Sequence, residues 1–527
     1  MRGLISAFPT ADLTRCCAEL TALYPGYMYA ARPGARAQFG RILDMIWADT
    51  AANTFGPRGE LSGAHSRDYD TLLGHGMLLI EMYLWGLPGV TQMHCEFEDP
   101  HCEGPISASD PRWENPDGTS RVGSGEPMTV VSISLFNLLH PRGYRPPKQL
   151  LALASAPATR VVTSRFLAQN VTANGNEAKF AELYNFVTPH FAIGSASQEY
   201  ITNTHSKYYP NVESKLLNIL LGSAPPTPAY SPGNRRRESP AITLAGDWKR
   251  QPYGAGPTIH NHGTNNSHLA LHIGAVQHRE ALLMTTALDT ADALQFSTAP
   301  GGDMYASLAT NLLLPADADE YSLLAPSGKA TSPQISQAMA PRSWELPLGT
   351  ILCVRLGGGG LCVKVFALDG VAGQTPMLRL VAEEVGLGLN AVRLVGVHYN
   401  ASVPAWLNGS ANGLHARFGA LALAGAANTT AELATLGQRV ASAAITSTVS
   451  AAGIWSAVAK TAVLPERSVT LAVGRDLGCS KGGVRNQSIH TSWNCLTTRR
   501  VDGREVVPGA FQVNGVGFPE LLQSAGR

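Results

Sequence analysis

The groups best suited to proton transfer are concentrated between residues 184 and 209. Asn185, His190 and Tyr200 lie close together there, and Thr188-Pro189 predicts a helix cap followed by a first-turn proline. His190 would then stand at a helix N-terminus, whose dipole disfavours a protonated imidazole. A neutral imidazole is the form that a general base needs. The alternative is a buried histidine with satisfied nitrogens, beside tyrosines that only pack.

A second polar cluster occupies residues 63–76 and combines His65, Arg67 and Tyr69 with Asp68 and Asp70. Functional side chains often lie on such loops, which a rigid scaffold holds in place. The planar guanidinium of Arg67 can hold a substrate carboxylate through two parallel hydrogen bonds. In the alternative interpretation, these residues cap the following helix and form a surface ion pair.

The later part of the chain adds two sets of candidates. One is predicted to reach across from a β-sheet and complete a substrate cleft, and consists of Gln277, His278 and Arg279. The other has histidine spacings that suit a divalent metal, and consists of His260, His262 and His272. No cysteine is near these histidines, and Glu280 is the only close carboxylate. We therefore predict no cofactor, and a metal is the less favoured alternative.

The elements that must position these residues change in type along the chain. From residue 11 to about 221, apolar residues recur every three or four positions, which predicts amphipathic helices. The predicted helices cover about 11–24, 34–50, 69–86, 127–140, 146–157, 178–186, 196–203 and 211–221. After residue 240, short alternating or continuous apolar runs predict antiparallel β-sandwich strands, although residues 421–462 fit helix or strand equally.

Length and composition favour an ordered multidomain protein. With 527 residues, the chain exceeds the size at which a single core stops growing. We predict a helical domain over 1–225, a linker over 226–240 and a β-sandwich region over 241–527. Whether this β-sandwich region divides into two sub-layers is left open. The 40 Lys+Arg balance 39 Asp+Glu, so nucleic acid is not a predicted partner. The best apolar segment, residues 77–87, is too short to span a bilayer.

Cysteines and glycosylation motifs favour an exported glycoprotein. Cys353 and Cys362 flank the run Gly357–Gly360 and are predicted to pair across a hairpin. Asn-x-Ser/Thr motifs occur at Asn170, Asn265, Asn400, Asn408, Asn428 and Asn486. The first residues lack the apolar region of a signal peptide. A secreted protein with a truncated start is therefore the prediction, and a cytoplasmic one is the alternative.

A helical half followed by β-sandwich layers, with Asn185, His190 and Tyr200, resembles the toroid-plus-sandwich polysaccharide lyases, including the heparinase II/III and chondroitin or hyaluronate lyase groups. The resemblance implies an N-terminal α/α toroid and β-elimination on a uronic acid polysaccharide. It makes Asn185 the neutraliser of the substrate carboxylate, His190 a base, and Tyr200 the base or acid. Arg67 would clamp the carboxylate, so both polar clusters are expected to share one cleft.

Two other functions stay open from the sequence. An α/α-toroid glycoside hydrolase needs two carboxylates on either side of a cleft, and Asp68, Asp70 and Glu199 are available. A non-catalytic carbohydrate-binding or cell-surface protein would use the same fold without a reaction. The substrate, the mode of cleavage and the oligomeric state do not follow from the sequence.

Overall fold

The described parts of the molecule are mostly antiparallel β-sheet. The structure, a computed structural model, describes residues 23–55, 60–61, 136–137, 139–155, 159–167, 180–196, 217–221, 241–245, 271–288, 309–315, 319–329, 342–367, 377–384, 390–398, 417–449, 455–464, 467–474, 491–493, 496–507, 509, 511–518 and 520–524.

Helices form a layer near the N-terminus. Residues 23–29 are helical, and α1 (Pro33–Asn53) and α2 (Lys148–Ser155) follow. Pro33 suits the first position of α1, where no backbone N–H donor is needed. Leu43, Ile46 and Trp47 are buried, and Ile46 and Trp47 follow Leu43 by three and four positions, so they share one face of the helix. This face forms a core with the strand that begins at Arg160 and with the C-terminal residues 511–522.

A six-stranded antiparallel sheet lies against this helical layer. Its order is β25-β24-β3-β4-β5-β6. The bounds are β3 (Arg160–Leu167), β4 (Phe180–Val187), β5 (Phe191–Ala196), β6 (Leu217–Leu221), β24 (Gln512–Val513) and β25 (Val516–Gly517). Two short strands, β1 (Thr54–Phe55) and β2 (Glu60–Leu61), pair separately after α1, and a short helix α4 (Glu520–Ser524) follows β25.

A seven-stranded sheet forms the centre of the β region, in the order β11-β13-β14-β17-β9-β8-β21. Its strands are β8 (Leu271–His278), β9 (Ala281–Leu288), β11 (Glu320–Leu324), β13 (Ile351–Leu356), β14 (Gly359–Ala367), β17 (Arg417–Ala426) and β21 (Thr491–Trp493). Only the β21 pairing with β8 is parallel among the described pairs of this sheet. β5 of the six-stranded sheet contacts both β8 and β17.

Two five-stranded sheets complete the described architecture. The first has the order β12-β15-β16-β10-β7 and comprises β7 (Ala241–Ala245), β10 (Ala309–Pro315), β12 (Arg342–Pro347), β15 (Met377–Glu384) and β16 (Asn390–His398). The second has the order β18-β19-β20-β22-β23 and comprises β18 (Ala444–Val449), β19 (Trp455–Leu464), β20 (Arg467–Gly474), β22 (Leu496–Val501) and β23 (Arg504–Glu505).

One helix, α3 (Thr430–Ser442), packs on the seven-stranded sheet. It begins with a capping box, in which the Thr429 hydroxyl accepts the Glu432 N–H and the Glu432 carboxylate accepts the Thr429 N–H. Its buried face belongs to a core shared with the seven-stranded sheet and with β19 and β20. Gly437 permits this close packing, because a Cβ there would lie 2.1 Å from Cδ1 of Leu324.

The predicted disulfide is confirmed. Cys353 and Cys362 lie directly opposite each other on β13 and β14, with a Cα–Cα distance of 4.1 Å, and their sulfurs are bonded. Gly357 and Gly358 have positive φ values of 54° and 86°, which the tight hairpin turn requires. Both cysteines are fully buried beneath α3.

The predicted fold class is wrong for the first 225 residues: the described part contains no helical toroid and includes four strands of the six-stranded sheet. The helices predicted at 34–50 and 146–157 are confirmed, but residues 180–187 and 217–221 are strands. In 180–187, apolar residues fit a helical period as well as a strand buried on both faces, and periodicity alone cannot separate these. The predicted helix 69–86 and the linker 226–240 lie outside the described residues.

The strands predicted after residue 240 are confirmed wherever they are described, and their pairings are antiparallel except for that of β8 with β21. The ambiguous stretch 421–462 contains both types of structure, namely the end of β17, helix α3, β18 and most of β19. Thr429 and Glu432 supply the local signal for the helix, since Thr-x-x-Glu is a capping-box sequence.

Candidate functional site

Asn185 does not face an open cleft. It lies near the end of β4, is 4% exposed, and donates from Nδ2 to Oδ1 of Asn53 at 2.8 Å. The side chain therefore faces the helical layer, where it bonds to the last residue of α1. A substrate carboxylate cannot reach Asn185 in this arrangement.

His190 lies in the turn between β4 and β5, so the predicted helix start at Thr188-Pro189 is wrong. The Thr188 hydroxyl accepts the backbone N–H groups of His190 and Phe191, at 3.2 and 3.0 Å, which holds a tight turn. The His190 ring is half-buried and lies by the β13–β14 turn, where a Cβ on Gly358 would be 3.2 Å from Nδ1. That nitrogen is buried without a hydrogen bond. Asn185 and His190 thus contact different elements.

The other predicted residues of these clusters and of the metal site lie mainly outside the described part. Tyr200, His65, Arg67, Tyr69, His260 and His262 belong to this group, as do Asp68, Asp70 and Glu199. His272 is described only as a position on β8. The shared cleft therefore stays a prediction. No group of three or more potential metal ligands occurs among the residues that the structure describes.

The β8–β9 turn does reach across to the six-stranded sheet, although it is held there by internal contacts. Gln277 is fully buried and donates from Nε2 to the carbonyl oxygens of Ile193 and Arg279, both at 2.8 Å. The backbone N–H of Arg279 donates to the Tyr184 hydroxyl at 3.0 Å. The His278 ring lies 6.4 Å from the Tyr184 ring, between centroids. The side-chain amide of Gln277 is therefore engaged by the protein itself.

Arg499 completes this arrangement, which we call the inter-sheet junction: Glu182, Tyr184, Gln277, Arg279 and Arg499. Arg499 is 3% exposed and extends from β22, donating from Nε to the Gln277 carbonyl and pairing through Nη2 with Glu182. Its guanidinium lies 4.4 Å above the Tyr184 ring centroid. Burial raises the pKa of Tyr184, while the Arg499 charge partly opposes this shift. The junction ties three sheets together.

A different combination of arginine and aromatic residues is exposed beside the helical layer. We call it the basic–aromatic surface: Tyr29, Phe136, Leu139, His140 and Arg142. The exposed fractions of Tyr29, Phe136 and Leu139 are 59%, 45% and 79%. The His140 ring lies edge-on to Tyr29 at 5.3 Å and tilted to Phe136 at 5.5 Å, between centroids. Exposed apolar groups that cluster in this way mark binding surfaces.

The backbone and buried side chains fix the basic–aromatic surface in place. Asn137 bonds through both amide atoms to the backbone of Tyr144, at 2.7 and 3.2 Å. The Tyr144 hydroxyl donates to Asp44 at 2.6 Å. The backbone N–H of Arg142 donates to Nδ1 of His140 at 3.1 Å, so the neutral imidazole carries its proton on Nε2, available to a ligand.

Positive charge is concentrated around this surface. Residues 23–43 and 136–155 contain no Asp or Glu, and each segment contributes three cations: Arg32, Arg36 and Arg41, then Arg142, Arg145 and Lys148. All of these except the half-buried Arg36 are exposed. Arg36 lies over the Tyr27 ring at 4.6 Å and donates to the Arg142 carbonyl at 3.3 Å, which joins the two segments. The chain as a whole is nearly neutral.

Sequence reasoning missed both arginine–aromatic arrangements, because each joins segments far apart in the chain. The two runs without acidic residues, 23–43 and 136–155, offered the local signal for the surface. Of the predicted glycosylation sites, only Asn428 is described, as an exposed residue next to the cap of α3.

No helix among the described residues is long and apolar enough to cross a membrane. Comparison with protein-family models, with curated proteins and with solved structures finds no match for this chain.

Proposed function

We propose that this protein is a non-catalytic binder of an acidic polysaccharide, and that the basic–aromatic surface holds the polymer. The observation that carries the proposal is the combination of three exposed aromatic or apolar side chains with six surrounding cations, next to which Asp44 is the one neighbouring acid in segments 23–44 and 136–155. Aromatic ring faces pack against the C–H faces of sugar rings, and arginine binds carboxylates through two parallel hydrogen bonds. A uronic acid polymer supplies both partners.

The charge of the chain, rather than the ring geometry, favours a sugar polymer over a nucleic acid. Tyr29 and Phe136 meet His140 at interplanar angles of 65° and 50°, and one exposed ring face can pack against a pyranose or stack on a base. The chain as a whole is nearly neutral, whereas domains that bind nucleic acid usually carry a clear positive excess.

The internal use of Asn185, a predicted catalytic residue, supports binding without catalysis. Its side-chain amide is buried and bonded to Asn53. Secretion is part of the proposal, because the Cys353–Cys362 disulfide is typical of proteins from oxidising compartments.

Binding of uronic acid oligosaccharides, measured by titration calorimetry, tests the proposal. Tyr29→Ala and Arg142→Ala are each expected to weaken binding by about tenfold, in the range of a moderately important interface contact. Arg504→Ala, at an exposed arginine on β23, is the matched control and should bind like the wild type. Affinity should fall as salt rises, because screening weakens exposed charge pairs. No affinity for any uronic acid polymer, or tighter binding of single-stranded nucleic acid, would contradict the proposal.

The predicted β-elimination is the second candidate, and His190 favours it. This histidine is half-buried, so part of its imidazole ring is open to solvent, while Nδ1 itself is buried without a hydrogen-bond partner. The reaction leaves an unsaturated uronic acid, so ultraviolet absorbance should rise when the protein is mixed with a panel of uronic acid polysaccharides. His190→Ala and Tyr200→Phe should each abolish the rise. An unchanged rate in either variant would remove that residue from the mechanism.

A further inference from the structure

A chain of buried hydrogen bonds joins helix α1 to the six-stranded sheet. Asp49 and Asn53 lie one helical turn apart, and both are at most 5% exposed. Asn53 donates from Nδ2 to the backbone oxygen of Asp49 at 2.9 Å and to its carboxyl Oδ1 at 3.0 Å. Asn53 in turn accepts from Asn185 of β4 at 2.8 Å. The carboxyl group is therefore the first member of a polar chain that ends in the sheet.

Little in this environment compensates a negative charge on Asp49. Its neighbours in α1 include Trp47, Ala48 and Ala52, which are fully buried. Among the described residues, Asp49 makes no salt bridge, and its one side-chain donor is the neutral amide of Asn53. An ionised carboxylate in such surroundings is costly.

The charged and titratable groups around α1 are engaged elsewhere. From β3, the buried Arg160 donates from Nε to the Ala52 carbonyl at 2.6 Å. From α1 itself, Asp44 accepts a hydrogen bond from Tyr144, which belongs to the segment before α2. On α2, Lys148 is exposed. Asn185, from β4, is neutral.

We propose that Asp49, Asn53 and Asn185 form a pH-sensitive latch, which holds α1 on the six-stranded sheet while the Asp49 carboxyl is neutral and loosens when it ionises. Because α1 carries Arg36 and packs against Tyr144, loosening also disturbs the basic–aromatic surface. This second consequence rests on the proposed function, whereas the latch itself does not.

The direction of the effect follows from the linkage between protonation and opening. Burial raises the pKa of Asp49 to about 8, and the Asn53 hydrogen bond opposes the shift only in part. In the opened or unfolded state, the carboxyl should titrate near its ordinary pKa of about 4. Between about pH 4 and 8, each unit of rising pH therefore favours opening by up to about tenfold. Above pH 8 both states are ionised, so the effect levels off.

Hydrogen exchange of the full chain, followed by mass spectrometry on peptides within residues 40–53, tests the latch. Protection factors, corrected for the intrinsic pH dependence of exchange, are expected to fall from pH 6 to 8 in the wild type and to level above that. Asp49→Asn keeps the shape without the titration and should have a flat profile. Glu520→Gln, at an exposed carboxyl on α4, is the control and should keep the wild-type slope.

Two results would overturn the latch: a flat wild-type profile, or an Asp49→Asn profile with the wild-type slope. The wild-type profile decides the matter even if the variant does not fold. Parallel titration with a uronic acid oligosaccharide at pH 6 and pH 8 separates the two proposals. If protection depends on pH but no oligosaccharide binds, the latch is supported and the proposed function is contradicted. If an oligosaccharide binds but protection does not depend on pH, the proposed function is supported and the latch is contradicted.

Discussion

The inter-sheet junction and the basic–aromatic surface use the same residue types for opposite purposes. In the junction, the Arg499 guanidinium lies over Tyr184, pairs with Glu182 and is almost fully buried. In the surface, Arg142 and Tyr29 are exposed. The rings of Tyr29 and Phe136 both contact the ring of His140. An arginine next to an aromatic ring is thus a structural tie where an acid and a carbonyl enclose it. It is available to a ligand where solvent faces it.

The largest expected effect comes from breaking the junction at Arg499. Arg499→Met removes the buried charge and takes the guanidinium donor away from Glu182 and the Gln277 carbonyl, so we expect a loss of about 3–5 kcal/mol of stability. Thermal unfolding of the purified wild type and variant measures this loss of stability. Arg500→Met, at the exposed neighbour on the same strand, is the control and should change little. Equal, small effects in both variants would show that the junction does not hold the sheets.

A smaller loss is expected at Gln277. Gln277→Leu roughly preserves the size of the side chain but removes the Nε2 donor to the carbonyls of Ile193 and Arg279, which should cost about 1–3 kcal/mol. Gln438→Leu, at an exposed position of α3, serves as the comparison in the same unfolding experiment. If the two variants unfold at the same temperature, the Gln277 hydrogen bonds contribute no net stability.

The smallest effect on stability is expected at the exposed surface. Tyr29→Ala should change stability by no more than about 0.5 kcal/mol, because the ring is 59% exposed, although it should weaken polysaccharide binding. Tyr27→Ala should destabilise more, since that ring is half-buried and packs against both Tyr144 and Arg36. A large loss of stability in Tyr29→Ala would mean that this ring is structural.

Local patterns in the sequence predicted local features well. The spacing of Leu43, Ile46 and Trp47 predicted α1, and the glycine run between Cys353 and Cys362 predicted a disulfide hairpin. Residues 180–187 were misassigned because a strand buried on both faces has no polar side to reveal its period. The helix predicted there was one of those that made up the predicted toroid.

Features that depend on distant contacts left no trace in the sequence. Glu182, Gln277 and Arg499 come from three different sheets, and nothing near any of them indicates the other two. The amide of Asn185 suggests a site residue, but the direction of this side chain depends on the register of β4, which places it next to Asn53. Residue type can suggest a role, whereas pairing in the sheet decides which face a side chain occupies.

The position of the Cys353–Cys362 bridge constrains the order of events during maturation. Both sulfurs lie beneath α3, where the Cys362 sulfur is 3.8 Å from the Leu433 carbonyl and Leu436 covers the same core. An oxidant cannot reach them once the helix has docked, since both cysteines have no exposed surface. We therefore expect the hairpin to be oxidised before α3 docks, and the docked helix shields the bond from reducing agents in solution.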